Sequence, residues 1–302
     1  GGCATIAPEP VAPVVMAPAS YATDLPPAGL DQEWWRGFDD PVLDALIERG
    51  LAANLDVEAA ADRLRAAEAL LRAERSDRLP SLDGAGDAGL VLGSDNDVLT
   101  SAGLFGLLDL DLSGRLAAEI RAAAADYAEA DYLVADRRRL VAAAIASQYL
   151  EYRRSGAQLE LVDESTDLQE QTLRIVTLRF EAGLSANLDV RRAAADLAQT
   201  RARRGLIAIA RADAANALAV LIAEPPGSFA PPPSRDETPI PDYGAGPPSG
   251  VPADLLRRRT DILAAEARLV GAAAAIGIER ADLRPSLTIP GSLVLGNGSL
   301  TG

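Results

Sequence analysis

The chain has 302 residues, of which 44 are acidic and 29 basic, giving a formal charge of −15, with no histidine and only 4% aromatic residues. This balance argues against nucleic acid as the main partner. The single cysteine excludes an intramolecular disulfide or a thiolate metal cluster. The longest uncharged apolar stretch, near Leu140 to Leu150, is too short for a spanning helix, so any membrane crossing has to be made by strands.

At the start, "GGCA" (Gly1 to Ala4) resembles the end of a bacterial lipoprotein signal, in which small residues precede a cysteine that becomes acylated, for example with palmitate. Cys3 is therefore the expected lipidation site, the other reading being a lone terminal cysteine. In such lipoproteins, Ala4 rather than Asp after the cysteine implies sorting to the outer membrane. Pro8, Pro10, Pro13, Pro18, Pro26 and Pro27 make residues 1–30 an anchor site followed by an extended tether.

An ordered segment is expected over residues 31–80. Asp40 before Pro41 reads as a helix N-cap, with Leu43, Leu46, Ile47 and Leu51 as a short apolar face. Asp56 is placed to cap a second helix that ends before Pro80. Trp34, Trp35 and Phe38 are expected to pin the N-terminal segment to the helical body, although an aromatic binding platform would use the same residues.

Residues 81–112 change period. "LLDLDLSG" alternates leucines with Asp109 and Asp111, which predicts a strand with carboxylates on one face: a barrel strand with those carboxylates facing a water-filled lumen and its leucines facing lipid, or a half-buried strand of a soluble sheet, which alternates in the same way. Ser94 to Asp97 reads as the hairpin tip; Asp95 and Asp97 lack the spacing and terminal glutamate of a calcium loop. Gly84, Gly86 and Gly89 match a dinucleotide fingerprint, with Asp109 twenty residues on. A strand rather than a helix follows them, so a glycine-rich strand is preferred.

No proline occurs between Ser81 and Glu224, and Gly156 is the only glycine between Arg115 and Ala182. These roughly 68 residues predict a helix about 100 Å long. Ile120, Tyr127, Val134, Val141, Gln148, Ser155, Val162, Gln169 and Val176 recur every seven residues. A second series runs through Ile145, Tyr152, Leu159, Thr166, Leu173 and Phe180, as in a coiled coil. "RFEAGLSANLDV" then supplies a stop at Gly183 and a cap at Asn187 or Asp189, and the returning helix reaches about Ile222, with a possible further turn at Gly205. Residues 113–222 thus form a long hairpin, and the proline-rich residues 223–252 a linker without a core-forming pattern.

Residues 253–302 begin again. "ERSDRLPSL" from Glu74 and "ERADLRPSL" from Glu279 lie 205 positions apart, and Asp56 with Asp261, Leu64 with Leu269 and Pro80 with Pro285 keep that offset. A helix, a proline stop and a strand have been duplicated. The arginine triplets at Arg137 to Arg139 and Arg257 to Arg259 read as solvated helix faces. With no histidine, no nucleophile elbow and no P-loop, the chain offers little from which to build an active site, and no cofactor or metal is expected.

In order, Cys3, "WWRGFDDPVLDALI", "NLDVEAAADRLRAAEALLRAERSDRLPSL", "LDLDLSGRL", "RFEAGLSANLDV", "LIAEPPGS" and "LLRRRTDILAAEARLVGAAAAIGIERADLRPSL" resemble the TolC-like outer membrane factors of tripartite (RND-type) efflux pumps, lipoprotein branch. The resemblance implies a mostly α fold with membrane β-strands. In it, a long coiled-coil helical barrel is continuous with a transmembrane β-barrel, built by tandem duplication and trimerisation. It implies a homotrimer with four strands per protomer, in contact with outer membrane lipid and extending into the periplasm. A periplasmic adaptor (membrane fusion protein) and an inner-membrane pump are the implied partners, the adaptor docking at a tip marked by Arg179, Gly183, Leu184 and Asp189. The implied role is a passive exit duct for small molecules.

Two departures stand out. The sequence stops inside the third strand, so the fourth strand, the second hairpin and its gating residues are not present, and a fragment of a longer protein is expected. The first strand pair also reads as shorter than outer-membrane barrel strands usually are. The alternative is a periplasmic coiled-coil adaptor or structural lipoprotein. The strand pair before the long helix, returning after the linker, favours the duct.

Overall fold

In the computed structural model, residues 8–9, 33–91, 97–229, 240–243 and 257–296 are described. The elements run from a short 3₁₀ turn, Trp34–Phe38, through α1 (Pro41–Ala53), α2 (Leu55–Ser76), β1 (Ser81–Val91) and β2 (Asp97–Asp109). They continue with α3 (Arg115–Glu181), α4 (Asn187–Leu221), α5 (Thr260–Asp282) and β3 (Thr288–Gly296). The chain divides into two compact units: residues 1–17, 60–135 and 256–302, and residues 18–59 and 136–255.

The second of these units holds the main apolar core. Leu43 and Ile47 of α1, Val57 of α2, Val141, Ile145 and Tyr149 of α3, and Leu218 and Ile222 at the end of α4 are buried together. At Gly50 a Cβ would overlap Ile145 Cδ1, so glycine lets α1 lie directly against α3. Asp40 caps α1 as expected, its Oδ1 accepting the N–H groups of Val42 and Leu43 at 2.9 and 3.2 Å. Its Oδ2 does a second job: it accepts the Tyr149 hydroxyl at 2.7 Å, and Arg153 Nη1 lies 3.4 Å away. One buried carboxylate thus fixes the start of α1 and the middle of α3.

The cap of α2 is Asn54 rather than Asp56. Asn54 Oδ1 accepts from the N–H groups of Asp56 and Val57 while its Nδ2 donates to the Leu221 carbonyl, so the one amide also ties α2 to the end of α4. The aromatic trio does pin this region: Trp35 is buried in the core, and Trp34 and Phe38 pack against it. The linker contributes more than its composition promises, because Phe229 joins the same core and the Tyr243 ring meets Phe38 edge-on at 5.0 Å.

The heptad reading of α3 holds in this unit as far as Val176, whereas Phe180, the last member of the second series, is exposed. Ser155 is buried and Leu159, Val162, Thr166, Gln169, Leu173 and Val176 are half-buried, while Leu161, Leu168 and Ile175 on another face are exposed. α4 supplies the partner seam through Leu197 and Ala214, reinforced by Arg201 with Glu170, Arg204 with Asp163, and an Arg211 guanidinium 4.7 Å over the Tyr152 ring. α4 runs unbroken through Gly205, so the turn suggested there does not occur: the glycine is exposed and its helical hydrogen bonds continue.

In the other unit, the beginning of α3 packs with α5. Arg268 of α5 binds Glu129 of α3, and Gly271 faces Ala125, the small residues allowing close approach. The sheet is three-stranded and antiparallel in the order β1-β2-β3. Ser81 pairs with Leu107 and Val91 with Asp97, while Asp109 pairs with Thr288. β1 and β2 have 11 and 13 residues, long enough to cross a hydrocarbon layer at a tilt, contrary to the expectation of short strands. Among the described residues no helix is long and apolar enough to cross a membrane.

Asp40→Ala should lower stability by about 3 kcal/mol, since it removes one buried carboxylate that caps α1 and also meets Tyr149 and Arg153, and urea unfolding followed by circular dichroism would measure the loss. Burial and the Asp40 carboxylate push the Tyr149 hydroxyl above its ordinary value near 10. The neutral phenol therefore contributes stability that is complete below pH about 10 and lost above it, and Tyr149→Phe should remove that alkaline slope.

Candidate functional site

Three features carry the sites the sequence suggested: the sheet, the turn from β2 into α3, and the tip between α3 and α4. Cys3 lies outside the described residues, as does most of the Ser94 to Asp97 hairpin tip.

The strand register sorts the sheet into two unlike faces. One carries Leu82, Gly84, Gly86 and Ala88 of β1, Thr100, Ala102, Leu104, Gly106 and Leu108 of β2, and Ile289, Gly291, Leu293 and Leu295 of β3. No charged residue stands among them, and Leu82, Leu293 and Leu295 are 72%, 61% and 69% exposed. The other face is mixed: it bears Ser81, Asp83, Asp87, Ser101, Asp109, Thr288 and Ser292 together with Phe105, Ala85, Leu107, Pro290 and Val294. A sheet that carries thirteen residues on one face without a charge, and puts its carboxylates on the other, fits lipid on one side and water on the other. Among the described residues β1 and β3 are open edges, whose unpaired backbone groups call for further strands.

Asp109 closes β2 on the polar face, but Asp111 is not on the strand. It adopts a left-handed φ of 47°, and its two carboxylate oxygens accept the Leu116 and Ala117 N–H groups at 2.9 and 3.0 Å. The alternation that placed both on one strand face is therefore corrected. The α3 N-terminus, with its unpaired donors and positive dipole end, draws the carboxylate out of extended geometry. Asp109 Oδ1 in turn accepts the Asp111 N–H at 2.8 Å, and Arg115 lies 3.8 Å from its other oxygen. Behind this turn, burial raises the Glu119 carboxyl above its usual range, opposed by the neighbouring Arg115.

At the tip, α3 ends in a Schellman motif. Gly183 takes φ 75°, its N–H donates to the Phe180 carbonyl at 2.9 Å, and the Leu184 N–H donates to the Arg179 carbonyl at 2.7 Å. Ala186 occupies the N-cap of α4. Because alanine has no acceptor side chain, the cap is supplied from the third helical residue: Asp189 Oδ2 accepts the Ala186 N–H at 3.3 Å. Asn187 is the first residue of the helix rather than its cap. The turn holds Leu184 and Leu188 outward, 71% and 57% exposed, with Arg179 also exposed. Gly183 and Leu184 thus sit in the turn itself, with Arg179 in the last turn of α3 and Asp189 in the first turn of α4.

Sequence reasoning passed over Asp83 and Asp87, because "LDGAGDAG" was weighed as a glycine fingerprint. Its alternation of small and acidic residues was the available signal. It also passed over Leu188, a lone leucine whose exposure depends on the turn.

The model of the family described as "Outer membrane efflux protein" matches residues 46–224, more than half of the chain. The chain belongs to this family. Among its relatives, the pyoverdine export outer membrane protein OpmQ of Pseudomonas aeruginosa is 31% identical over 98% of the chain. The solvent efflux pump outer membrane protein SrpC of Pseudomonas putida is 30% identical over 94%. The chain spans 65% of the first relative's length and 60% of the second's. Among solved structures, the outer-membrane channel OprN superposes with a TM-score of 0.81 at 29% identity, covering 95% of this chain and 68% of that one. The channel CusC gives 0.77 at 25%, covering 96% and 68%.

The two faces of the sheet of this efflux-family protein should respond oppositely to charge. Leu293→Arg, on the apolar face, should cost about 2 to 4 kcal/mol in a bilayer and prevent stable insertion, whereas Ser292→Arg on the other face should be tolerated. Heat-modifiable mobility of the membrane fraction would distinguish them.

Proposed function

We propose that this chain is a channel subunit of a tripartite, RND-type efflux system, a passive exit duct for small molecules across periplasm and outer membrane. The observation that carries this reading is the two-faced sheet leading through the Asp111 turn into a 67-residue helix. A soluble coiled-coil adaptor has no use for a sheet that exposes only uncharged residues on one face.

Further features support assembly as a homotrimer. β1 and β3 require neighbours, and the exposed Leu161, Leu168 and Ile175 form a seven-residue stripe beside the seam that α4 already fills. Leu206 and Ile209 of α4 are 70% and 59% exposed, a second apolar strip for lateral packing against another hairpin. The tip of exposed leucines with Arg179 is the docking surface for a periplasmic adaptor, which links the duct to an inner-membrane pump. Acylated Cys3 anchors the chain to the outer membrane. The duct has no catalysis of its own: energy and first selection belong to the pump.

The reading is tested in cells carrying the gene in its full extent. Leu184→Asp and Gly183→Trp should abolish resistance while cross-linked trimers persist, and unchanged resistance would remove the tip from the docking surface. Cys3→Ser should abolish incorporation of radiolabelled palmitate; label that persists would show that the anchor lies elsewhere. Single-channel conductance of the wild-type protein in planar bilayers tests the duct itself.

A further inference from the structure

On the polar face of the sheet, Phe105 pairs directly with Asp83 of β1 on one side and with Ser292 of β3 on the other. These three side chains, with Leu107 and Pro290, line a concavity of about 450 Å³. The Phe105 ring lies across Gly103, where a Cβ would stand 2.9 and 3.0 Å from ring atoms Cε2 and Cζ. The glycine therefore lets the ring lie down along the sheet instead of standing off it, and the ring stays 43% exposed. Asp87 and Asp109 share the face, and no lysine or arginine stands on it among the described residues.

We propose that this concavity is a weak transit site for lipophilic organic cations, which names a substrate class for the duct and rests on the duct reading above. The aromatic ring supplies a surface for an apolar or cationic group. Asp83, at cross-strand distance from that ring, supplies the countercharge, and the Ser292 hydroxyl supplies a hydrogen-bond partner on the far side. The carboxylates repel anions from the same path and raise the local concentration of cations. Weakness suits the role, because a site in a duct has to release what it holds.

The probe pair is tetraphenylphosphonium and tetraphenylborate, alike in shape and opposite in charge. Their binding to the chain in zwitterionic-lipid nanodiscs is measured by titration calorimetry against protein-free nanodiscs. The phosphonium should bind above the blank and the borate should not. Asp83→Asn should weaken the phosphonium at least fivefold, Asp83→Glu should restore it, and Phe105→Leu should weaken it about threefold. Asp87→Asn, about 13 Å along the strand at the usual rise per residue, should change it less than twofold. Circular dichroism checks that each variant is folded. Equal binding of the two probes, or an Asp83→Asn affinity within twofold of wild type, overturns the inference. A protein that conducts in bilayers but shows no such difference overturns the site and leaves the duct reading standing. A protein that binds as expected but never conducts overturns the duct and leaves the site in place.

Discussion

A helix of 67 residues cannot bury a face against itself, and this constraint governs the rest of the structure. Each stretch of α3 needs its own lateral partner. α5 supports it in one unit through Arg268 and Gly271; in the other, α1 and α4 support it through Ile47 and Leu218. A 3.5-residue repeat is what keeps a single seam turned toward such partners over so many turns. Gln148, Ser155, Thr166 and Gln169 on that seam limit its apolar content. The hairpin is accordingly reinforced by Arg201 and Arg204 reaching acids on α3, pairs that are exposed and individually weak.

Side-chain oxygens do much of the local organising. Asp40, Asn54, Asp111 and Asp189 each satisfy backbone N–H groups at the beginning of a helix. Two of them also fasten one element to another: Asp40 holds Tyr149 and Arg153, and Asn54 holds the Leu221 carbonyl. The acidic excess of the chain is thus partly structural. The carboxylates of Asp83 and Asp87 cap no helix and stand on the polar face of the sheet.

Much of the fold was legible because its signals are local. The absence of proline and near absence of glycine announced α3, and "DDPVL" announced the capped start of α1. Gly183 announced the stop, and the 205-residue repeat announced that α5 and β3 echo α2 and β1. The misreadings share one cause. Asp56, Asp111 and the proline-rich linker were judged by residue type and spacing, whereas their roles depend on which donors or rings come within reach. Asn54 took the cap of α2 because its amide also reaches Leu221, and Asp111 left the strand because the N-terminus of α3 attracts it. Tyr243 entered the fold through Phe38.

The sequence by itself determined the family, the element order and the residues of the tip turn, since periodicity, proline and glycine positions and the repeated phrase are written along the chain. The tertiary structure alone decided which residues share a face of the sheet. Register is a relation between strands, and only once Asp83 stands opposite Phe105, and Phe105 opposite Ser292, do a charge, a ring and a hydroxyl become one surface.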